Sequence, residues 1–203
     1  MTTIGPAIPL KDQVFNRVGD ISREINNTLE QAARIAIKSG NNEQLALFRA
    51  RFNSLRNASK DVAFEIVTVL KRYKGVALTV WEIASPDARA TVNEELKYFV
   101  DERYSQSTRT IIEAFLNLRR DFEQFIAGVS SGDLKEQLRV LVQKVNELTD
   151  IWNAVFKETG EFREIIATAV EALTNMRLKK IVQIANQKAD VIGVSLETYI
   201  AAI

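Results

Sequence analysis

The chain contains no cysteine and no histidine. Without thiols it can build no disulfide, no thiolate nucleophile and no zinc–thiolate site. Without imidazole it has no Ser-His-Asp or Cys-His arrangement, no histidine metal ligand, and none of the Glu-x-x-His pairs of carboxylate di-iron bundles. Acid-base catalysis rests most often on histidine, so the expectation is a protein that is not an enzyme and takes no cofactor. Proline is scarce as well, with three residues at 6, 9 and 86. Proline interrupts helix hydrogen bonding, and its absence after Pro86 leaves room for very long helices.

Charge of one sign is also missing. Lys plus Arg is 27 and Asp plus Glu is 26, a net charge of +1. No global field gathers nucleic acid or an anionic membrane, and nucleic acid is disfavoured as a partner. Long apolar runs are lacking too. A constitutive transmembrane span needs about 20 predominantly apolar residues, and the richest window is interrupted by Glu65, Lys71, Arg72, Lys74 and Glu82. The opening MTTIGPAIPL has neither the basic start nor the apolar run of a secretory signal. The expected compartment is the cytoplasm, although export by a leaderless route is compatible with the lack of cysteine.

What is present is periodicity. From Leu45 to Ile83, steps of three and four residues connect Leu45, Phe48, Phe52, Leu55, Ser59 and Val62 to Ile66, Val69, Tyr73, Val76, Val80 and Ile83. Only Ser59 is not apolar. A 3-4 alternation averages about 3.5 residues, close to the helical period, so one stripe faces one partner along its length. The same pattern marks a first helix through Val18, Ile21, Ile25, Leu29, Ala32 and Ala36. Gly40 after it suits a left-handed C-cap, and the short link dictates an antiparallel return. Ser85-Pro86-Asp87 reads as a helix start with serine as N-cap and proline in the first turn. A third helix carries Ile111, Phe115, Leu118, Phe122 and Phe125, and Ser130 to Asp133 separates it from a fourth.

In the fourth helix the stripe runs Leu134, Leu138, Leu141, Val145, Leu148 and Trp152, then through Thr159 and Phe162 to Met176, with no change of phase at Gly160. A chain reversal has no reason to preserve phase, so the pattern predicts one helix, kinked at most at Gly160. The expected fold is a single all-α domain, an elongated antiparallel up-down bundle with coiled-coil-like packing. After an extended arm at 1–9, four long helices are expected at about 10–39, 42–84, 86–130 and 133–192, or five if the last breaks at Gly160, followed by a short helix at about 195–203. A continuous fourth helix would reach about 85 Å at a rise of about 1.5 Å per residue, and its surplus length would need a partner.

Two features carry the functional expectation. The segment with Val76, Leu78, Val80, Trp81 and Ile83 is apolar on nearly all sides, which marks a candidate docking tip for a partner or lipid. Ser59, the single polar residue of its stripe, falls opposite the polar interval at 101–110 in a hairpin turning near Ser85. With Ser107 it forms a candidate polar layer that sets register. No glycine loop for phosphate, no calcium loop and no metal-ligand cluster is present in the sequence. The expected function is a non-enzymatic interaction or scaffold protein that self-associates or binds a protein partner through amphipathic helical seams. The alternative is a lipid-binding or membrane-perturbing, pore-forming-like bundle that rearranges on membranes.

Overall fold

Where side chains are described, each apolar stripe forms the inward face of a helix in the computed structural model. It describes residues 15–83, 87, 94, 105–170 and 175–203, with the backbone alone at 72–83, 166–170 and 175–178. Among the described residues every regular element is an α-helix. Five helices pack against one another: α1 (Val18–Ser39), α2 (Asn42–Ile83), α3 (Ser105–Ala127), α4 (Gly132–Val170) and α5 (Asn175–Ala202).

The stripe of α1 is buried from Val18 to Ala36. The helix stops at Gly40, which sits in the left-handed region at φ 77° with its N–H bonded to the Ala36 carbonyl. A side chain is strained there, and glycine is not. α2 begins at once and runs unbroken through Gly75. Leu45, Phe48, Phe52, Ser59 and Ile66 lie on its buried face.

Side-chain contacts tie α2 to α3 and α3 to α4. Phe48 packs on Phe122 with ring centroids 3.7 Å apart, and one turn later Arg51 meets Asp121 at 3.0 Å. On α3 and α4, Arg119 bonds Asn146 at 3.1 Å, while Arg109, ten residues earlier, lies over Phe156, ten residues later, at 5.3 Å from the ring centre. α2 and α4 each pack on α1, α3 and α5. α1 covers the first part of α4, where Glu24 meets Lys144. α5 covers the later part, where Tyr199 meets Trp152 and Lys188 meets Glu161. α1 and α5 adjoin where Ser22 Oγ donates to the Ile203 carbonyl at 3.4 Å.

The fourth-helix expectation is corrected in its length. Gly160 breaks nothing, since α4 passes through it for 39 residues, about 58 Å at a rise of about 1.5 Å per residue. α4 is described to Val170, and from Asn175 a separate helix, α5, packs back on α4 and α2. The reason is burial: folded back, α5 hides Val182, Ala185, Ala189, Ile192, Leu196 and Tyr199 inside its own chain. The surplus length that would have needed a partner is thereby covered. The expected end near Gly193 and the short helix from Ser195 are corrected too, because both residues lie within α5 and Ser195 is fully buried.

The two glycines predict opposite responses. Gly40→Ala forces a side chain into the left-handed region and should lower unfolding free energy by about 1 kcal/mol. Gly160→Ala lies in a helix where an added Cβ meets nothing within 4 Å, and should raise it by up to about 1 kcal/mol. Urea denaturation followed by Trp fluorescence measures both.

Candidate functional site

Ser59 is fully buried, and its partners are not those the polar interval suggests. Its hydroxyl donates to the Arg56 carbonyl at 2.7 Å and lies 2.7 Å from the Tyr199 hydroxyl. A serine has one proton to give, so with that proton on Arg56 the tyrosine is the donor. Ser107 is half-buried on α3 and is not among the hydrogen-bond partners of Ser59. The interhelix polar contact at Ser59 therefore joins α2 to α5. Tyr199 stands edge-on to Trp152, with centroids 5.4 Å apart and ring planes at 83°. Burial raises the Tyr199 phenol above its ordinary pKa, and the neighbouring Ser59 and Trp152 offset part of that rise. The Trp152 Nε1 itself makes no hydrogen bond of standard geometry.

Two lysines hold the seams on either side of this layer. Lys144, 9% exposed on α4, reaches Glu24 of α1 at 2.7 Å and Glu147 of its own helix at 3.1 Å. Glu147 also meets Arg17 at 3.5 Å. Lys188 of α5 sits between Glu158 and Glu161 of α4. The Glu24 bond holds Lys144 above its ordinary pKa against the cost of burial, and the same bond lowers Glu24. Burial opposes the charge of Lys188, but the two glutamates outweigh it and keep that lysine raised. Glu161 is correspondingly lowered by its bond to Lys188. Each ammonium thus has carboxylates spaced one turn apart or on the facing helix, an arrangement that favours one register between helices.

A cleft of about 230 Å³ opens on the surface between α2 and α3. Phe48, Leu118, Phe122 and Phe125 supply its apolar lining, and Gln44 and the Arg51–Asp121 pair its polar edge. Leu47 also lines it and is 63% exposed. The cleft is smaller than a site for a drug-sized ligand, about 300 Å³ or more, and fits one or two side chains. Leu47 lies off the stripe that includes Leu45 and Phe48, so helical periodicity assigns it no partner. The sequence signal was an apolar residue on an otherwise polar face; a single such residue is ordinary on a protein surface.

The candidate tip at Val76, Leu78, Val80, Trp81 and Ile83 falls on the last turns of α2, where side chains lie outside the described residues. Tyr199 and the two lysines escaped sequence reasoning because their partners are remote in the chain. Among the described residues no group of His, Cys, Asp and Glu side chains could hold a metal ion, and no helix is long and apolar enough to cross a membrane. No protein-family model, curated protein or solved structure matches the chain.

Removing either hydroxyl of the buried pair should have unequal effects. Ser59→Ala leaves the Tyr199 hydroxyl buried without its acceptor, costing about 1–3 kcal/mol, whereas Tyr199→Phe leaves Ser59 its Arg56 carbonyl and should cost about 1 kcal/mol or less. Equilibrium unfolding of both variants and the double variant checks this order.

The lysine seams predict the shape of the pH profile. Glu24 and Glu161 have lowered folded pKa values, so their stabilising share is present above the ordinary value of 4.5 and is lost as pH falls through the folded values. Lys144 and Lys188 have raised values, so their share is present below 10.5 and is lost as pH rises through the folded values. Unfolding midpoints should therefore be flat between these limits, and Glu24→Gln should shrink the loss on the acid side.

Proposed function

We propose that the chain is a non-enzymatic helical interaction protein. In this reading it is an elongated up-down bundle that offers the α2–α3 cleft to the apolar side chains of another protein's helix. The observation that supports it is the placement of Leu47, a large apolar side chain 63% exposed, at the edge of an aromatic-lined cleft. Exposed apolar surface beside a hydrophobic cleft is the geometry of helix-in-groove recognition. Phe48 and Phe122 form the aromatic floor against which an entering side chain would lose its water.

The chemistry of the cleft favours protein over lipid. Anionic membrane surfaces are held by clusters of uncompensated cations, and here the cation, Arg51, is paired with Asp121. The ionisable groups Lys144 and Lys188 are engaged in seams between helices rather than turned to a cavity. Such groups serve register, as expected of a scaffold whose working part is its surface.

The lack of native cysteine allows a direct test. Gln44→Cys places a unique thiol at the cleft for an environment-sensitive fluorophore. Emission should shift to the blue when lipid-depleted extract of the cells that make the protein is added, and remain unchanged with neutral or anionic vesicles. A shift with vesicles alone would establish the lipid alternative, and no shift with either, at a concentration where the chain sediments as a monomer, would remove the cleft as a docking site for another protein.

A further inference from the structure

We infer that the occupant of the α2–α3 cleft is the same cleft on a second copy of this chain, joined to it about a twofold axis. The inference rests on the interaction reading above and names its partner. A twofold interface is isologous: one patch must hold both a projection and the recess that receives it, and both members of any charge pair that crosses the axis. This patch has all of them. Leu47 projects from α2 at 63% exposure, and the recess between Phe48, Phe122 and Phe125 lies beside it. Arg51 on the α2 side and Asp121 on the α3 side supply one charge of each sign, half-exposed and 3.0 Å apart. In the proposed dimer the patch is rotated onto itself so that each Arg51 faces the Asp121 of the other copy and each Leu47 faces the other copy's recess. An acidic or basic partner finds no net charge here to meet its own, whereas a copy finds its complement.

The recess matches what a copy presents. A cleft of about 230 Å³ accommodates a leucine-sized side chain with its neighbour, and Leu47 is the side chain that the opposite subunit brings. The two Leu47 residues would leave water together, and the Phe48–Phe122 contact provides the packed aromatic floor beneath each. Half-exposed Arg51 and Asp121 can turn from their partner in the same chain to the partner across the axis without either charge being left unpaired.

Sedimentation velocity over a wide concentration series is the first measurement, with expected monomer–dimer exchange. Leu47→Glu should weaken the dimer by about tenfold or more, a change of about 1.4 kcal/mol or more, with unchanged circular dichroism. The decisive arm uses charge reversal. In Arg51→Glu alone, each introduced carboxylate faces an aspartate across the axis; in Asp121→Arg alone, each introduced guanidinium faces an arginine. Both variants should dissociate by themselves. Mixed, they should form a heterodimer, because the introduced carboxylate then faces the introduced guanidinium, and the unchanged Asp121 of one chain faces the unchanged Arg51 of the other. Loss of the pair within one chain predicts no such rescue on mixing.

A purified chain that stays monomeric throughout overturns the inference, and so does a dimer insensitive to Leu47→Glu and to charge reversal. If the chain is monomeric while the Gln44→Cys probe still shifts with extract, the cleft binds a different helix and only the identity of the partner fails. If that probe responds to vesicles alone, the interaction reading fails with it.

Discussion

The arrangement depends on how α1 and α5, of 22 and 28 residues, share the flank of the longer α2 and α4. A long amphipathic helix exposes its stripe wherever no partner lies on it, and that exposure costs about 25 cal/mol for each Å² of apolar surface left in water. α1 covers the part of α4 around Lys144, and α5 the part from Trp152 toward Glu161. Where they adjoin, Ser22 holds the Ile203 carbonyl and Gly19 lies beside Ala202, at a distance where an added Cβ would make an ordinary contact of 3.7 Å. Fully buried Ser59 faces Tyr199 in the last turn of α5. The flaw in the α2 stripe is therefore a specific interhelix contact.

Apolar stripes alone do not fix how far one helix slides along another, since one Leu or Ile accepts the next with small loss. Polar contacts remove that freedom. A hydroxyl pair inside the core fails if α5 shifts by a turn, because the phenol would then be buried without an acceptor. The lysine seams act in the same way. Lys188 reaches Glu158 and Glu161, three residues apart and on one face of α4. Lys144 is more buried and ties α1 to α4 through Glu24. The net stability of such pairs is modest because burial opposes their charges, while breaking one by misalignment is expensive. Their contribution lies in choosing among registers.

What the sequence made legible follows from the range of its signals. Apolar periodicity reports which face of a helix is buried, and the stripes of α1, α2, α3 and α4 all face inward where their side chains are described. Gly40 was readable because a left-handed cap demands glycine locally. The packing of α5 back on α4 was not, because the apolar spacing keeps its phase from α4 to Met176 and neither glycine nor proline separates the two helices in the sequence. Within α5 the buried stripe lies one residue from the expected one: Val182 is buried at 2% exposure while Ile181 is only partly buried. Ser59 was visible as an exception, yet its partner depended on which helix lies across from it. That is a tertiary fact, settled by the return of α5.

The cleft belongs to the same class. Leu47 occupies a position that neither the α2 stripe nor a capping rule accounts for, and in isolation an exposed leucine carries no message. Its meaning comes from Phe122 and Phe125, which α3 brings beside it from more than seventy residues away along the chain. The same packing sets Arg51 against Asp121 and leaves both half in solvent. A pair buried between α2 and α3 would be committed to register, as Lys144 is. A half-exposed pair at the edge of an apolar recess is still free to exchange partners. Serine, tyrosine and lysine in the interior thus fix how the helices sit, and the groups that can meet another molecule are those the packing assembles at the surface without fully using them.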